Sequence, residues 1–187
     1  KILYVKLNQN RKKEFRIQTQ IIEENDKKVA VKSAMNPHAV PFVKGLEDKG
    51  KQEVSAKCEN LRSIYQNDEM FYEFLEGETL HQKIKAWADE GDIQSIVSAL
   101  EKFYEAYFVS RKKETNYQTE EFCQIFGSCP GKDYYECIKP ANVDMICANI
   151  FVEEENYKII DYEWVFPFAV PVSFIIWRMI HDVYTQI

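Results

Sequence analysis

Alternating apolar and polar residues predict strands in the first third of the chain. Leu3, Val5 and Leu7 alternate with Tyr4 and Lys6, and a second alternating run begins at Phe15. The polar stretch over residues 8–14 separates the two runs, so the pattern predicts a β-hairpin. The further elements predicted here are a strand over 28–32, a short helix over 37–47 and a strand over 70–75. The segment 54–64 fits a helix or a strand, and a strand is favoured because a turn signal over 66–68 follows it.

Helical spacing replaces the strand pattern after Gly77. Thr79 is a candidate N-cap for a helix to residue 89, and Gly91 with Asp92 precedes a second helix whose apolar residues share one face. The remaining elements predicted are a helix over 120–126, a hairpin from strands over 150–152 and 157–160, and a buried apolar helix from about residue 173. This order predicts an α+β fold, with a strand-rich N-lobe over 1–76 and a small helical C-lobe with a β-hairpin over 77–187.

Composition narrows the class of protein. The 187 residues carry 24 Lys and Arg against 30 Asp and Glu, and the net charge of −6 argues against a nucleic-acid-binding surface. Hydrophobic residues make up 45% of the chain and exclude a disordered one. The longest apolar stretch, 164–177, is interrupted by prolines, so no membrane span is predicted. Because an apolar run follows Lys1 immediately, we expect the chain to be part of a longer protein.

Cysteine usage indicates a reducing compartment. The five cysteines include no C-x-x-C pair, and Cys123, Cys129, Cys137 and Cys147 are spaced too widely for a zinc ribbon. Reduced thiols in a cytoplasmic protein are therefore expected.

Three polar residues flank the late hairpin and carry the candidate chemistry. Asn149 precedes its first strand and Asp161 follows its second, so chain reversal is expected to bring both side chains to one end. An amide oxygen and a carboxylate suit Mg²⁺, which completes its shell with phosphate and water. Asp144, in the preceding loop, could accept a proton from an attacking hydroxyl. Taken singly, each residue also has a structural interpretation: a loop cap, a backbone partner and a strand end.

The spacing of these residues resembles a known motif. Asp144-x4-Asn149, the hairpin, and Asp161-Tyr162-Glu163 resemble the catalytic and metal-binding segment of the protein-kinase-like fold, in the version of choline and aminoglycoside kinases. The longer runs over 142–146 and 160–166 more closely resemble kinase-like domains attached to bacterial glycosyltransferases and methyltransferases of polysaccharide assembly. The resemblance implies a two-lobed fold with ATP and Mg²⁺ in an interlobe cleft. Asp144 would be the catalytic base, and Asn149, Asp161 and Glu163 would be metal ligands.

The same resemblance assigns nucleotide-binding residues in the first lobe. Lys32, in Val-Ala-Val-Lys, resembles the third-strand lysine that contacts the α- and β-phosphates. Glu47 is its expected ionic partner, although Glu53 competes for that role. The run over 71–77, with Glu73 and Leu75, resembles the strand and connector that hydrogen-bond an adenine ring. These features predict phosphate transfer to a hydroxyl of a small molecule or glycan.

Three departures from the kinase pattern leave other functions open. The first hairpin tip has no glycine, and only 26 residues follow Asp161. Val143 stands where kinases commonly have Arg or Gly, and Ile146 stands where Lys, His or Ser would stabilise the transferring phosphate. One alternative is a catalytically degenerate, pseudokinase-like binding or scaffolding module within a polysaccharide-biosynthesis protein, acting on a fused transferase domain. A second is an unrelated α+β domain, in which Asn149 and Asp161 do not converge.

Overall fold

Strands and helices are both abundant, and the α+β class is confirmed in the computed structural model, which describes residues 1–52, 54–128 and 134–186. The chain forms two units: unit 1 comprises 1–52 and 60–76, and unit 2 comprises 53–59 and 77–187. Each unit has its own sheets and helices.

Unit 1 is a five-stranded antiparallel sheet with one helix. The elements are β1 Ile2–Leu7, β2 Ile17–Glu24, β3 Lys27–Ala34, α1 Val40–Gly50, β5 Ser63–Gln66 and β6 Glu69–Glu73, with 3-10 turns at Lys13–Phe15 and Pro37–Ala39. The strands lie in the order β1-β2-β3-β6-β5, and Lys32 lies between Thr19 and Met70 on the neighbouring strands. Val43 and Leu46 of the helix are fully buried, as is Met70 on the sheet. The predicted hairpin, third strand and helix are confirmed.

The helices of unit 2 begin where the sequence places its caps. Thr79 accepts a hydrogen bond from the Gln82 N–H, and the Gln82 side chain accepts one from the Thr79 N–H, which is a capping box. Asp92 and Thr119 cap the next two helices through their side chains. The helices are α2 Leu80–Glu90, α3 Ile93–Tyr104 with a π-helical turn over Glu105–Val109, α4 Glu120–Phe126 and α5 Val172–Gln186.

Unit 2 contains more strand structure than the sequence predicted. The predicted hairpin is present as two strands that β4 extends to three, but a second three-stranded sheet and a two-stranded ladder were missed. The description of this region as helical with one hairpin is therefore wrong in that detail. The strands are β4 Cys58–Asn60, β7 Lys113–Asn116, β8 Tyr134–Ile138, β9 Ala141–Asn142, β10 Ile150–Glu153, β11 Asn156–Ile159, β12 Val165–Phe166 and β13 Val170–Pro171.

Aromatic side chains form the centre of the unit 2 core. Phe103 stacks on Tyr107 at 5.5 Å between ring centroids and meets Tyr157 edge-to-face at 5.0 Å. Phe103 of the predicted core face of α3 thus packs against the hairpin strand β11, whereas Ile93 and Val97 of that face are 64% and 43% exposed, so the predicted core face is confirmed only in part.

The last helix is less buried than expected. Ile175 and Met179 are buried, but Trp177 and Tyr184 are 58% and 83% exposed. The prediction of a buried helix is therefore wrong for one face of α5, because an apolar sequence alone does not say which side is covered. No helix within the described residues has the length and apolar character needed to cross a membrane.

Candidate functional site

The hairpin of β10 and β11 brings Asn149 and Asp161 to one end. Ile150 pairs with Ile159, and the Ile160 N–H donates to the Asn149 carbonyl at 3.0 Å. Asp161 therefore follows directly after the residue opposite Asn149. The register places Asn149 and Asp161 at adjoining positions of the two chain segments, and the meeting of their side chains at one metal ion stays a prediction.

Alternating burial anchors the loop that carries Asp144. Val143, Met145 and Cys147 are buried, whereas Asp144 and Ile146 are only partly covered. Burial, together with a smaller contribution from the nearby Asp182 carboxylate, raises the pKa of the Cys147 thiol to about 12, so this cysteine stays neutral. Three apolar anchors thus hold the loop while Asp144 remains accessible.

The Asn149 side chain joins the two ends of this loop. Its Nδ2 donates to the Asp144 carbonyl at 3.0 Å, while its backbone N–H donates to the Ile146 carbonyl at 2.9 Å. The Asp144 carbonyl also accepts the Ile146 N–H at 2.9 Å. Since the donor nitrogen of the amide is committed to the loop, the orientation of the side chain is set and its Oδ1 is the atom left to act as a ligand.

Asn142 connects the Asp144 loop to the Asp161 segment. It is 4% exposed, its Oδ1 accepts the Asp144 N–H at 3.0 Å, and its Nδ2 donates to the Asp161 carbonyl at 2.9 Å. The Val143 N–H donates to the Trp164 carbonyl at 3.1 Å and extends the same connection. One buried amide therefore couples the positions of two candidate functional residues.

Arg178 of α5 holds the Asp144 side chain. Its Nη2 lies 3.0 Å from Asp144 Oδ1, and its Nε donates to the Val143 carbonyl at 2.7 Å. The planar guanidinium therefore contacts a side chain and the adjoining backbone at once, which favours a single rotamer for the carboxylate.

Asp161 and Glu163 occupy a tight turn after β11. The Glu163 N–H donates to Asp161 Oδ1 at 3.3 Å, and Glu163 itself is only 2% exposed. Within the described part of the chain, no group of three or more His, Cys, Asp or Glu side chains is arranged to hold a metal ion. A cation here would be held by the oxygens of Asn149, Asp161 and Glu163, together with groups from its ligand.

The nucleotide-binding candidates of the first lobe all lie in unit 1. Lys32 is 8% exposed, with its Nζ 5.8 Å from the centroid of the Tyr72 ring. The Glu47 carboxylate lies 3.2 Å from Lys51 Nζ, one helical turn away, and its pairing with Lys32 stays a prediction. Glu73, exposed, ends β6, and Leu75 follows it half-buried. The competing Glu53 lies outside the described residues.

Two residues of the site were given no role in the sequence analysis. Arg178 is the one charged residue within an apolar stretch of α5, and an isolated charge in such a stretch signals a buried partner. Asn142 stands two residues before Asp144, a spacing typical of an Asx turn. The predicted thiol state holds for Cys58, Cys123, Cys137 and Cys147, which are free, while Cys129 lies outside the described residues.

No protein-family model matches the chain, and no curated protein matches it either. The roles of the site residues therefore rest on their chemistry and placement.

Proposed function

We propose that this protein is a kinase-like phosphotransferase that binds a magnesium nucleotide and transfers phosphate to a hydroxyl of a small molecule or glycan. The observation that carries the proposal is the grouping of Asp144, Asn149 and Asp161 at one end of the β10–β11 hairpin, joined by the Asn142 amide. The grouping argues against the alternative of an unrelated domain in which Asn149 and Asp161 do not converge.

The oxygen donors at this end fit Mg²⁺. Asn149 Oδ1 and the carboxylates of Asp161 and Glu163 are hard ligands, and few protein ligands suffice because phosphate oxygens and water complete an octahedral shell. When bound, the cation neutralises charge on the phosphates. The chain itself contributes placement, because the Asn149 side chain donates to the Asp144 carbonyl and the Asp161 carbonyl accepts from the Asn142 side chain.

Asp144 is the proposed base for the acceptor hydroxyl. Arg178 binds its Oδ1, and the second carboxylate oxygen is then directed to a fixed position. A carboxylate held in one rotamer orients the attacking hydroxyl, and orientation is a large part of catalysis in phosphoryl transfer.

Unit 1 supplies the proposed nucleotide contacts. Lys32 on the third strand would bind phosphate, Glu47 on the following helix would orient it, and the backbone around Glu73 and Leu75 would bind adenine. The support is the order of elements, since β3, α1 and β6 follow one another as the kinase resemblance implies. ATP as the donor agrees with the cytoplasmic location proposed from the reduced thiols.

A transfer assay with three single variants tests the proposal. With radiolabelled ATP, Mg²⁺ and a panel of sugars and glycans, we expect Asp144→Asn to lower turnover by about 10²–10⁴-fold while ATP still binds. Asp161→Asn is expected to abolish the Mg²⁺-dependent part of ATP binding. Asp89→Asn, an exposed acid on α2, is the control and should leave both unchanged. Equal turnover in wild type and Asp144→Asn would contradict the role of the base.

A binding module without chemistry is the second candidate. The observation that favours it is the Arg178–Asp144 ion pair, which satisfies the proposed base, beside Ile146, which offers no charge to a transferring phosphate. This reading predicts MgATP binding with no transfer to any acceptor, and a scaffolding role for a fused transferase domain of polysaccharide biosynthesis. Binding that depends on Asp161 without any turnover would select it.

A further inference from the structure

A cavity of about 830 Å³ lies within unit 2, apart from the hairpin site. Its walls come from the end of the π-helical turn, from β7 and β8, and from the segments 137–140 and 167–169. Ligand sites for small molecules commonly have volumes of about 300–1,000 Å³. No residue assigned to nucleotide or metal binding lines it.

The cavity carries a net positive charge in a protein that is negatively charged overall. Arg111, Lys113 and Lys139 line it, against a single acid, Glu121. Among the residues that the structure describes, Lys113 and Lys139 form no ion pair within 4 Å. Two lysine cations and one anchored guanidinium therefore line a common space, which favours an anionic ligand.

Arg111 is held in place at the inner wall. Its Nη2 donates to the Pro140 carbonyl at 2.7 Å, and its guanidinium lies 4.6 Å from the centroid of the Tyr107 ring. Its Nη1 is buried and has no hydrogen-bond partner in the described part of the chain. A guanidinium positioned in this way at the wall of the cavity is suited to a phosphate or carboxylate group.

The remaining lining suits a hydroxyl-bearing ring. Thr115, Asn116 and Thr119 offer hydroxyl and amide groups, while Pro140 and Phe168 offer flat apolar surface. Burial raises the pKa of the Cys137 thiol to about 11, so this cysteine adds no negative charge at neutral pH. A site that orients a polar ligand usually combines a few polar groups with apolar surface.

A short ladder connects this cavity to the Asp144 loop. Ala141 pairs with Phe166 and Asn142 with Val165, so Pro140 and Pro167 lie at one end and Val143 and Trp164 at the other. Four residues of chain from Pro140 to Asp144 span no more than about 14 Å. An extended ligand anchored in the cavity could therefore present a hydroxyl near the proposed base.

We propose that the cavity binds an anionic sugar, of the sugar phosphate class, through Arg111, Lys113 and Lys139. Its role as the anchor of the phosphate acceptor rests on the proposed function, but the binding itself does not. Glu121 opposes the anion, because hydrogen bonds from its own backbone N–H and from Thr119 hold the pKa of its carboxyl below the usual value and keep it ionised.

Calorimetric titration with glucose 1-phosphate, without nucleotide or Mg²⁺, tests the cavity. We expect glucose 1-phosphate to bind more tightly than either inorganic phosphate or glucose. The double variant Lys113→Gln/Lys139→Gln should raise its Kd by about tenfold or more, because each charge-assisted hydrogen bond contributes strongly to binding. Glu121→Gln should lower the Kd. Lys85→Gln, on the exposed face of α2, is the matched control and should leave it unchanged.

The outcomes separate this proposal from the proposed function. Binding that survives Asp161→Asn but weakens in the lysine double variant supports the cavity, whether or not MgATP binds. The proposal is overturned if glucose 1-phosphate does not bind at millimolar concentration, or if inorganic phosphate binds equally well. It is also overturned if Lys85→Gln weakens binding as much as the double variant does, since general charge attraction then explains the result.

Discussion

Asn142 is the residue on which the geometry of the candidate site most depends. Its amide accepts the Asp144 N–H and donates to the Asp161 carbonyl, and both bonds are inaccessible to water because the side chain is 4% exposed. A buried amide with both of its groups satisfied stabilises one arrangement of the segments that it joins.

Replacing Asn142 with Ala should destabilise the protein and also remove the connection between the Asp144 loop and the Asp161 segment. Two buried backbone groups lose their partners, and we expect the free energy of unfolding to fall by about 2–4 kcal/mol, measured by urea denaturation. Asn142→Asp keeps the acceptor for the Asp144 N–H but buries a carboxylate against the Asp161 carbonyl, so a loss at least as large is expected. No change in stability with Asn142→Ala would show that these bonds do not hold the two segments.

The sequence allowed the hairpin residues of the site to be predicted, but not their supports. Asn149 and Asp161 flank a short hairpin, so local pairing alone brings them together. Arg178 contacts Asp144 across 34 residues, and Asn142 contacts Asp161 across 19. Contacts over such separations depend on how elements pack, which no local spacing encodes. Lys32 and Glu47 were placed on the correct elements, and their pairing stays a prediction.

Elements with strong local signals were predicted well, and those defined by distant pairing were not. The first hairpin, α2 and α4 begin and end within a few residues of their expected bounds, because alternation, caps and glycines mark them. By contrast, β8 pairs with β7 and with β13, some thirty residues later, so its stability comes from distant partners. A polar, glycine-containing stretch therefore contains strands that its composition does not predict.

The capping box of α2 provides a test at the level of a single element. Thr79→Ala removes the acceptor for the Gln82 N–H, and we expect the free energy of unfolding to fall by about 1 kcal/mol. Thr79→Ser keeps the capping oxygen and should retain most of the stability. Thermal unfolding followed by circular dichroism measures both. Equal losses in the two variants would mean that the threonine methyl group, and not the cap, stabilises this end.

At the scale of the whole molecule, the two units divide the proposed nucleotide contacts from the proposed metal and base residues. Unit 1 contains Lys32, Glu47, Glu73 and Leu75, and unit 2 contains the hairpin site. The change from strand to helix pattern after Gly77 coincides with one boundary between the units. Residues 53–59 nevertheless belong to unit 2, where the Lys57 carbonyl accepts the Tyr157 N–H at 2.8 Å. The assignment of this segment to unit 2 is supported by a hydrogen bond between residues that lie a hundred positions apart in the chain, and no local sequence pattern predicts it.

Thermal unfolding with and without MgATP is the most direct test of the central claim. A ligand present at 100 times its Kd stabilises the native state by about 2.7 kcal/mol, so wild-type protein should unfold at a clearly higher temperature in saturating MgATP. Asp161→Asn should lose this increase, and the Asp89→Asn control should keep it. An unfolding temperature that does not change with millimolar MgATP in the wild type, or that rises equally in Asp161→Asn, would contradict a magnesium-nucleotide site at the hairpin.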